Sequence, residues 1–161
     1  MAAVSYFLKL DGIAGESADA KHPGEIELQA FSFGESFVQA PVTAGGAGAG
    51  KVQIEDMHVS MPLSKASPLL FVACASGQHL KSAVLSARRS AGKAPFDFLV
   101  ITLTDVLVSG YHTGGGTDTG PFDQVTLNFG KIQIQYRAQK PDGTPDAPVT
   151  GGWDVKKNVK A

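Results

Sequence analysis

A chain of 161 residues carrying 14 Lys+Arg against 15 Asp+Glu has a formal net charge of -1, and 43% of its residues are hydrophobic. That length suits one domain, the near-neutral balance gives no long-range attraction to nucleic acid or anionic lipid, and no apolar run approaches the roughly 18 residues of a membrane helix. A single cysteine, Cys74, excludes an intramolecular disulfide and fits a reducing compartment.

The N-terminal run Met1-Ala2-Ala3-Val4-Ser5-Tyr6 has neither a basic region nor an apolar stretch, so no conventional signal peptide is expected. Val4, Tyr6, Leu8 and Leu10 then alternate with Ser5, Phe7 and Lys9, which predicts a half-buried strand ended by Asp11-Gly12. Glu25 to Phe33 predicts a second strand. Ile26 and Leu28 share one of its faces and Phe31 and Phe33 the other, so a bulge, a bend or cover on both sides is expected near Ala30. Val52 and Ile54, followed by Met57, Val59 and Met61, show the same slip of one residue and predict a bulge near Glu55-Asp56. Ala44 to Gly50 holds nothing but Gly and Ala, and with Thr113 to Gly120 it reads as a long flexible loop.

One helix start stands out. Ser67 is an N-cap type whose hydroxyl suits an orphan N–H of a first turn, and Pro68 suits the first helical position. With Gly77 as a natural stop, a short helix over about residues 67–76 is expected. Leu80 to Arg89 alternates loosely, and Phe96 to Val108 is continuous enough to predict a central strand. Val125, Leu127 and Phe129 alternate, Gly130 breaks the phase, and Ile132, Ile134 and Tyr136 resume on the other parity while Gln133, Gln135 and Arg137 face away. Pro141-Asp142-Gly143 makes a turn, and Trp153 to Val159 reads as a last short strand or an ordered tail. About seven strands with repeated phase slips, one helix and Gly-rich loops predict a mainly β fold, a single domain over 1–161 in which bent antiparallel sheets close into a barrel or tight sandwich.

Catalytic and metal patterns are missing from this reading. His22, His58, His79 and His112 are scattered without metal-ligand spacing, so no metal site is expected, although His58 could pair in space with Glu55 or Asp56. No nucleophile elbow surrounds a serine, Ser67 is accounted for as a cap, and Cys74 among small apolar residues reads as an inert buried thiol. The run Gly45 to Lys51 resembles a phosphate loop until Val52 stands where a hydroxyl residue belongs and a strand follows instead of a helix. Arg88-Arg89 with Lys93 reads as a solvated turn, not a nucleic-acid surface. The reading therefore expects no enzyme and no cofactor.

Order and spacing of several short elements carry a resemblance. They are Tyr6-Phe7-Leu8-Lys9-Leu10-Asp11-Gly12-Ile13, Gly15-Glu16-Ser17, Lys21-His22 with Glu25-Ile26, Lys65-Ala66-Ser67-Pro68-Leu69-Leu70 and Ala75-Ser76-Gly77-Gln78-His79. Leu103-Thr104-Asp105-Val106, Val125 through Tyr136, Asp142-Gly143, Gly152-Trp153-Asp154 and Asn158 complete the set. Over nearly its whole length the chain resembles the haemolysin-coregulated (Hcp) proteins, tube subunits of bacterial type VI secretion systems. Ser64 departs from the Asp that often precedes the Lys-Ala-Ser-Pro element in that family.

The resemblance implies a small closed β-barrel with one helix, six copies in a ring, and rings stacked into a hollow tube. It implies as partners further copies of the chain, a spike-tip protein, a contractile sheath and secreted effectors carried in the lumen, with no nucleic acid and no membrane insertion. It also implies a cytoplasmic protein during assembly that is later secreted without a signal peptide. The segment Val42, Thr43, Ala44, Gly45, Gly46, Ala47, Gly48, Ala49, Gly50 and Lys51 is expected to reach toward an adjacent ring, because Gly and Ala can settle against another backbone on docking. The competing reading is a monomeric β-sandwich binding module, for glycans as an example. It would want an exposed aromatic platform, whereas Trp153 reads as an anchor against the barrel.

Overall fold

The computed structural model describes residues 3–39, 50–90 and 94–161. Its strands are β1 (Val4–Leu10), β2 (Ile26–Leu28), β3 (Ala30–Ser32), β4 (Glu35–Val38), β5 (Lys51–Ile54) and β6 (Met57–Pro62), then after α1 (Ala66–Ser76) come β7 (His79–Arg89), β8 (Asp97–Gly114), β9 (Phe122–Tyr136), β10 (Val149–Asp154) and β11 (Val159–Lys160). The fold is mainly β, antiparallel throughout, with one short helix among the described residues.

Strand pairing runs in a circuit. β1 pairs with β7, β7 with β8, β8 with β9, β9 with β6 and β6 with β3, all antiparallel. β2, joined to β3 through Gln29, pairs with β1 and so brings the path back to its start. At that joint the Gln29 N–H donates to the Ser60 carbonyl at 2.7 Å. The phase change expected near Ala30 is this bend, where one stretch of chain leaves β1 and joins β6. β4 and β5 form a separate two-stranded sheet.

Inside the circuit, alternate residues of each strand meet. Leu8, Ile26, Met57, Met61, Leu85, Leu103 and Leu127 are fully buried side chains, and Leu70 of α1 packs among them. At roughly 1.5–3 kcal/mol for each large apolar side chain withdrawn from water, this set is the main source of stability.

Four expectations need correction. The slip at Glu55-Asp56 is a change of sheet, from β5 in the hairpin to β6 in the main sheet, and not a bulge within one strand. The bulge lies at Ser109, where the β8–β9 register shifts between Val108 and Gly110. Strand β8 continues through it to Gly114, because Gly110 lets the backbone pass Thr126: a Cβ at Gly110 would stand 2.4 Å from the Thr126 hydroxyl. The Asp56 carboxylate holds that bulge, accepting from Ser109 Oγ at 2.6 Å and Asn128 Nδ2 at 2.9 Å, and His58 is not its partner. Phe7, assigned by alternation to the outer face, is buried, because the 11–25 loop folds back over β1 and stacks His22 on its ring.

The helix lies where expected, within one residue at its start, but its cap differs. It begins at Ala66, with Lys65 at the N-cap position and no side-chain cap bond from it, so Ser67 lies inside the first turn. Ser64 Oγ instead accepts from the Ala66 N–H at 3.2 Å, and Ser67 Oγ accepts from the Ser64 N–H at 3.1 Å. The stop at Gly77 is as expected: its φ of 66° is left-handed, and its N–H donates to the Ala73 and Cys74 carbonyls.

Candidate functional site

Ser67, weighed as a nucleophile and as a cap, turns out to hold the fold together. Ser67 Oγ donates to Asp123 Oδ2, and Tyr111 OH donates to Asp123 Oδ1 at 3.0 Å, which ties α1 to β8 and β9. Asp123 is wholly buried there, close to the helix start, where the helix dipole favours a negative group. Burial first, and then the bond to Asp123, push the Tyr111 phenol above its ordinary value. Cys74 is half-buried against the core. His58 and His112 line one open groove on the outer face of β3, β6, β8 and β9 without closing on each other. Among the described residues no three His, Cys, Asp or Glu side chains are grouped to hold a metal, and no helix is long and apolar enough to cross a membrane.

What remains is surface, and it is unusually apolar in two places. α1 turns Ala66, Ser67, Leu70 and Ala73 inward, a stripe at helical spacing. That leaves Leu69, Phe71 and Val72 exposed, beside Leu63 in the preceding loop. Tyr111 and Phe71 meet edge to face at 6.2 Å, flooring a shallow groove between the helix and β8.

The second place follows from how β9 is shared. Its first half pairs with β6 from Pro62↔Phe122 to Met57↔Leu127, and its second half pairs on that side with β10 from Asp154↔Lys131 to Val149↔Tyr136. The core-facing row therefore runs on past the end of β6. Ile132 on that row is buried, but Ile134 and Tyr136 are exposed, and Val149 opposite Tyr136 is 73% exposed. Ile132, Ile134, Gly151, Gly152 and Trp153 form one wall of a groove of about 380 Å³, and Phe33, Glu35 and Val52 from the base of the β4–β5 hairpin form the other. Trp153 packs against the core, and among the described residues its Nε1 has no hydrogen-bond partner. Beyond β10 the pairing is brief: β11 meets it at Trp153 and Asp154, which leaves the Val149 end as a sheet edge.

Of the segment expected to stack on another ring, Val42 to Ala49 lie outside the described residues, while Gly50 and Lys51 lead into β5. β4 and β5 pair from Glu35↔Ile54 to Val38↔Lys51, and both Phe37 and Val38 are exposed.

The chain, a bent antiparallel sheet with a helix on its flank, matches known proteins from end to end. The family model described as "Type VI secretion system effector, Hcp" matches residues 7–136. The chain is 41% identical over 161 residues to protein hcp1 of Pseudomonas aeruginosa, covering 99% of each chain. It belongs to the Hcp family of type VI secretion system proteins. Among solved structures, Hcp1 from Salmonella typhimurium superposes with a TM-score of 0.80 at 30% identity, covering 100% of both chains. A structure described as a type six secretion system protein gives 0.88 at 28% identity, covering 99% of this chain and 100% of its own.

Sequence reasoning missed the apolar shelf of this Hcp protein, because the alternation of Ile132, Ile134 and Tyr136 looks the same whether or not a strand covers its far end. It also missed the role of Arg88, read as a solvated turn residue. The guanidinium is largely buried and bonds Asp19 at 3.2 Å and Asp97 at 3.1 Å. Asp97 lies opposite it across the β7–β8 hairpin, but Asp19 lies 69 residues away, so no local signal marks the whole cluster.

Proposed function

We propose that this Hcp protein is a structural subunit of the secretion tube: it assembles into hexameric rings, the rings stack into a hollow tube, and the tube carries effectors in its lumen and is itself exported. The reading makes the protein a self-assembling component and not an enzyme, with the spike tip, the sheath and the carried effectors as its partners. The observation that carries it is the shelf of Ile134, Tyr136 and Val149, a core-type sheet face and a sheet edge left uncovered among the described residues. A bare edge beside apolar side chains calls for a neighbour.

Area supports the same conclusion. The subunit exposes 9710 Å², against about 7,600 Å² from the scaling law for a compact monomer of this mass. The difference is of the order of what two ring contacts of about 800 Å² per partner would cover. Head-to-tail contacts that close produce a ring, and those that do not close produce a filament of rings. The 42–51 segment is proposed to make the contact between rings, since the hairpin that carries it stands apart from the main sheet. Its deletion over 44–50 leaves rings intact and weakens their stacking.

Light scattering with negative-stain imaging of the same peak tests the proposal. A mass of six subunits and open-centred rings supports it. A strict monomer at high concentration overturns it.

A further inference from the structure

We propose that His22 is a proton-operated latch: as an imidazolium it holds the 11–25 loop against the rim of the sheet, and loss of its proton releases that loop. The inference is independent of how the subunits assemble.

The geometry is that of a cation between two anions. His22 is 5% exposed. Its Nδ1 lies 2.9 Å from Glu25 Oε2, and its Nε2 lies 3.0 and 3.1 Å from the two oxygens of Asp97. Both ring nitrogens therefore face carboxylate oxygens, which only accept. An imidazolium satisfies both with N–H donors. A neutral ring has one N–H, so its other nitrogen would turn a lone pair toward a carboxylate.

Every element packed here contributes. The loop itself brings Asp19 and Glu25, the start of β8 brings Asp97, the end of β7 brings Arg88, and β1 brings the Phe7 ring stacked on the imidazole at 4.5 Å. With His22 charged, two cations meet three carboxylates; without that charge, Arg88 still pairs with Asp19 and Asp97, while Glu25 loses its cationic partner. Burial by itself would lower the pKa of the ring, but the hydrogen bonds it donates to Asp97 and then Glu25, with their charges, outweigh it and raise the pKa above the ordinary 6.5.

Sequence places this latch where it matters. Loop 11–25 has no strand of its own. Its order comes from Gly15 N–H to Gly24 O at 2.8 Å, Ser17 N–H to Glu25 O at 2.9 Å, Gly24 N–H to Ser17 O at 2.8 Å, and the His22 side chain that pins it to β8. The sign follows from linkage. A folded pKa raised above the open-loop value gives closure that is complete below pH 6.5 and is lost as pH rises through the folded pKa.

The experiment is an NMR titration of the His22 ring in the full chain, with amide exchange of Gly15, Ser17 and Gly24 at each pH. After correction for base-catalysed exchange, protection of these amides should fall about tenfold per pH unit between 6.5 and the folded pKa and then level off, since one pKa unit is a tenfold factor. Amides in the β8–β9 ladder should hold steady. Asp97→Asn keeps the histidine but removes one anion, so the ring titration and the pH at which loop protection levels off should move to lower pH together, with a smaller total fall in protection. His22→Gln should give a loop whose protection no longer varies across this range. The latch is refuted if the ring titrates at or below 6.5, if loop protection is equal on both sides of the titration, or if Asp97→Asn leaves the levelling-off pH in place. The wild-type titration and Asp97→Asn decide the matter even if His22→Gln fails to fold.

Discussion

Replacing Ser67 by Ala separates two accounts of the helix start. If the hydroxyl were a surface cap, its removal would cost about 1 kcal/mol and would be blind to residues far away in sequence. In the structure it donates to the buried Asp123 carboxylate, whose other oxygen accepts from Tyr111. A buried hydrogen bond to a carboxylate is worth about 1.5–3 kcal/mol, so Ser67→Ala should destabilise by about 2–3 kcal/mol. Asp123→Ala strips the acceptor from two hydroxyls at once and should cost about 3–5 kcal/mol. Because the two residues share one bond, the double variant should fall short of the sum of the singles by about 1–3 kcal/mol. Urea unfolding followed by Trp153 fluorescence, at a fixed protein concentration so that assembly contributes equally, measures all four corners of the cycle. Tyr111→Phe supplies an internal check, removing the second hydroxyl with the ring kept. Additivity within about 0.5 kcal/mol would refute the buried tie and restore the simple cap.

Further outcomes follow from other residues. Leu70→Ala removes the fully buried anchor of α1 and should lower stability by about 2–5 kcal/mol in the same assay. Gly15→Ala would place a Cβ 2.5 Å from the Glu25 carbonyl oxygen, so the loop must lift from β2; a loss of about 1–3 kcal/mol and faster exchange of the Ser17 amide are expected. Val149→Glu puts a charge on the bare end of β10 and should reduce the assembled mass seen by light scattering while circular dichroism stays unchanged. Raising the pH from 6.5 through the folded pKa of His22 should lower overall stability, and Asp97→Asn should flatten that slope in a urea series.

Periodicity made much of this fold legible before any coordinates. The parity change at Gly130 is real: Phe129 and Gly130 are both buried in succession as β9 bends. The change between Leu28 and Phe31 is the handover from β2 to β3. Alternation reports which side of a strand is apolar, but not which neighbour supplies the cover, and the errors follow from that. Alternation puts Phe7 outside because its cover is a loop, and at Glu55-Asp56 a change of sheet leaves the same slip as a bulge. Ser67 illustrates a different limit. Its type and position suit a cap, and only the fold brings Asp123 across 56 residues to claim the hydroxyl. The latch around His22 is likewise assembled from β1, β7, β8 and a loop, with Asp97 lying 75 residues from the ring it holds.

The sharing of β9 between β6 and β10 also bears on the order in which the chain acquires its structure. β7, β8 and β9 are consecutive and pair by local hairpins, whereas β1 waits for β7 and β6 waits for β9. During synthesis the first part of the chain therefore leaves the ribosome with the later-paired edges of β1 and β6 bare. Those edges stay open to mispairing until the meander through Tyr136 has emerged, which makes the interval before β9 the period in which a nascent chain of this protein most needs protection from its neighbours.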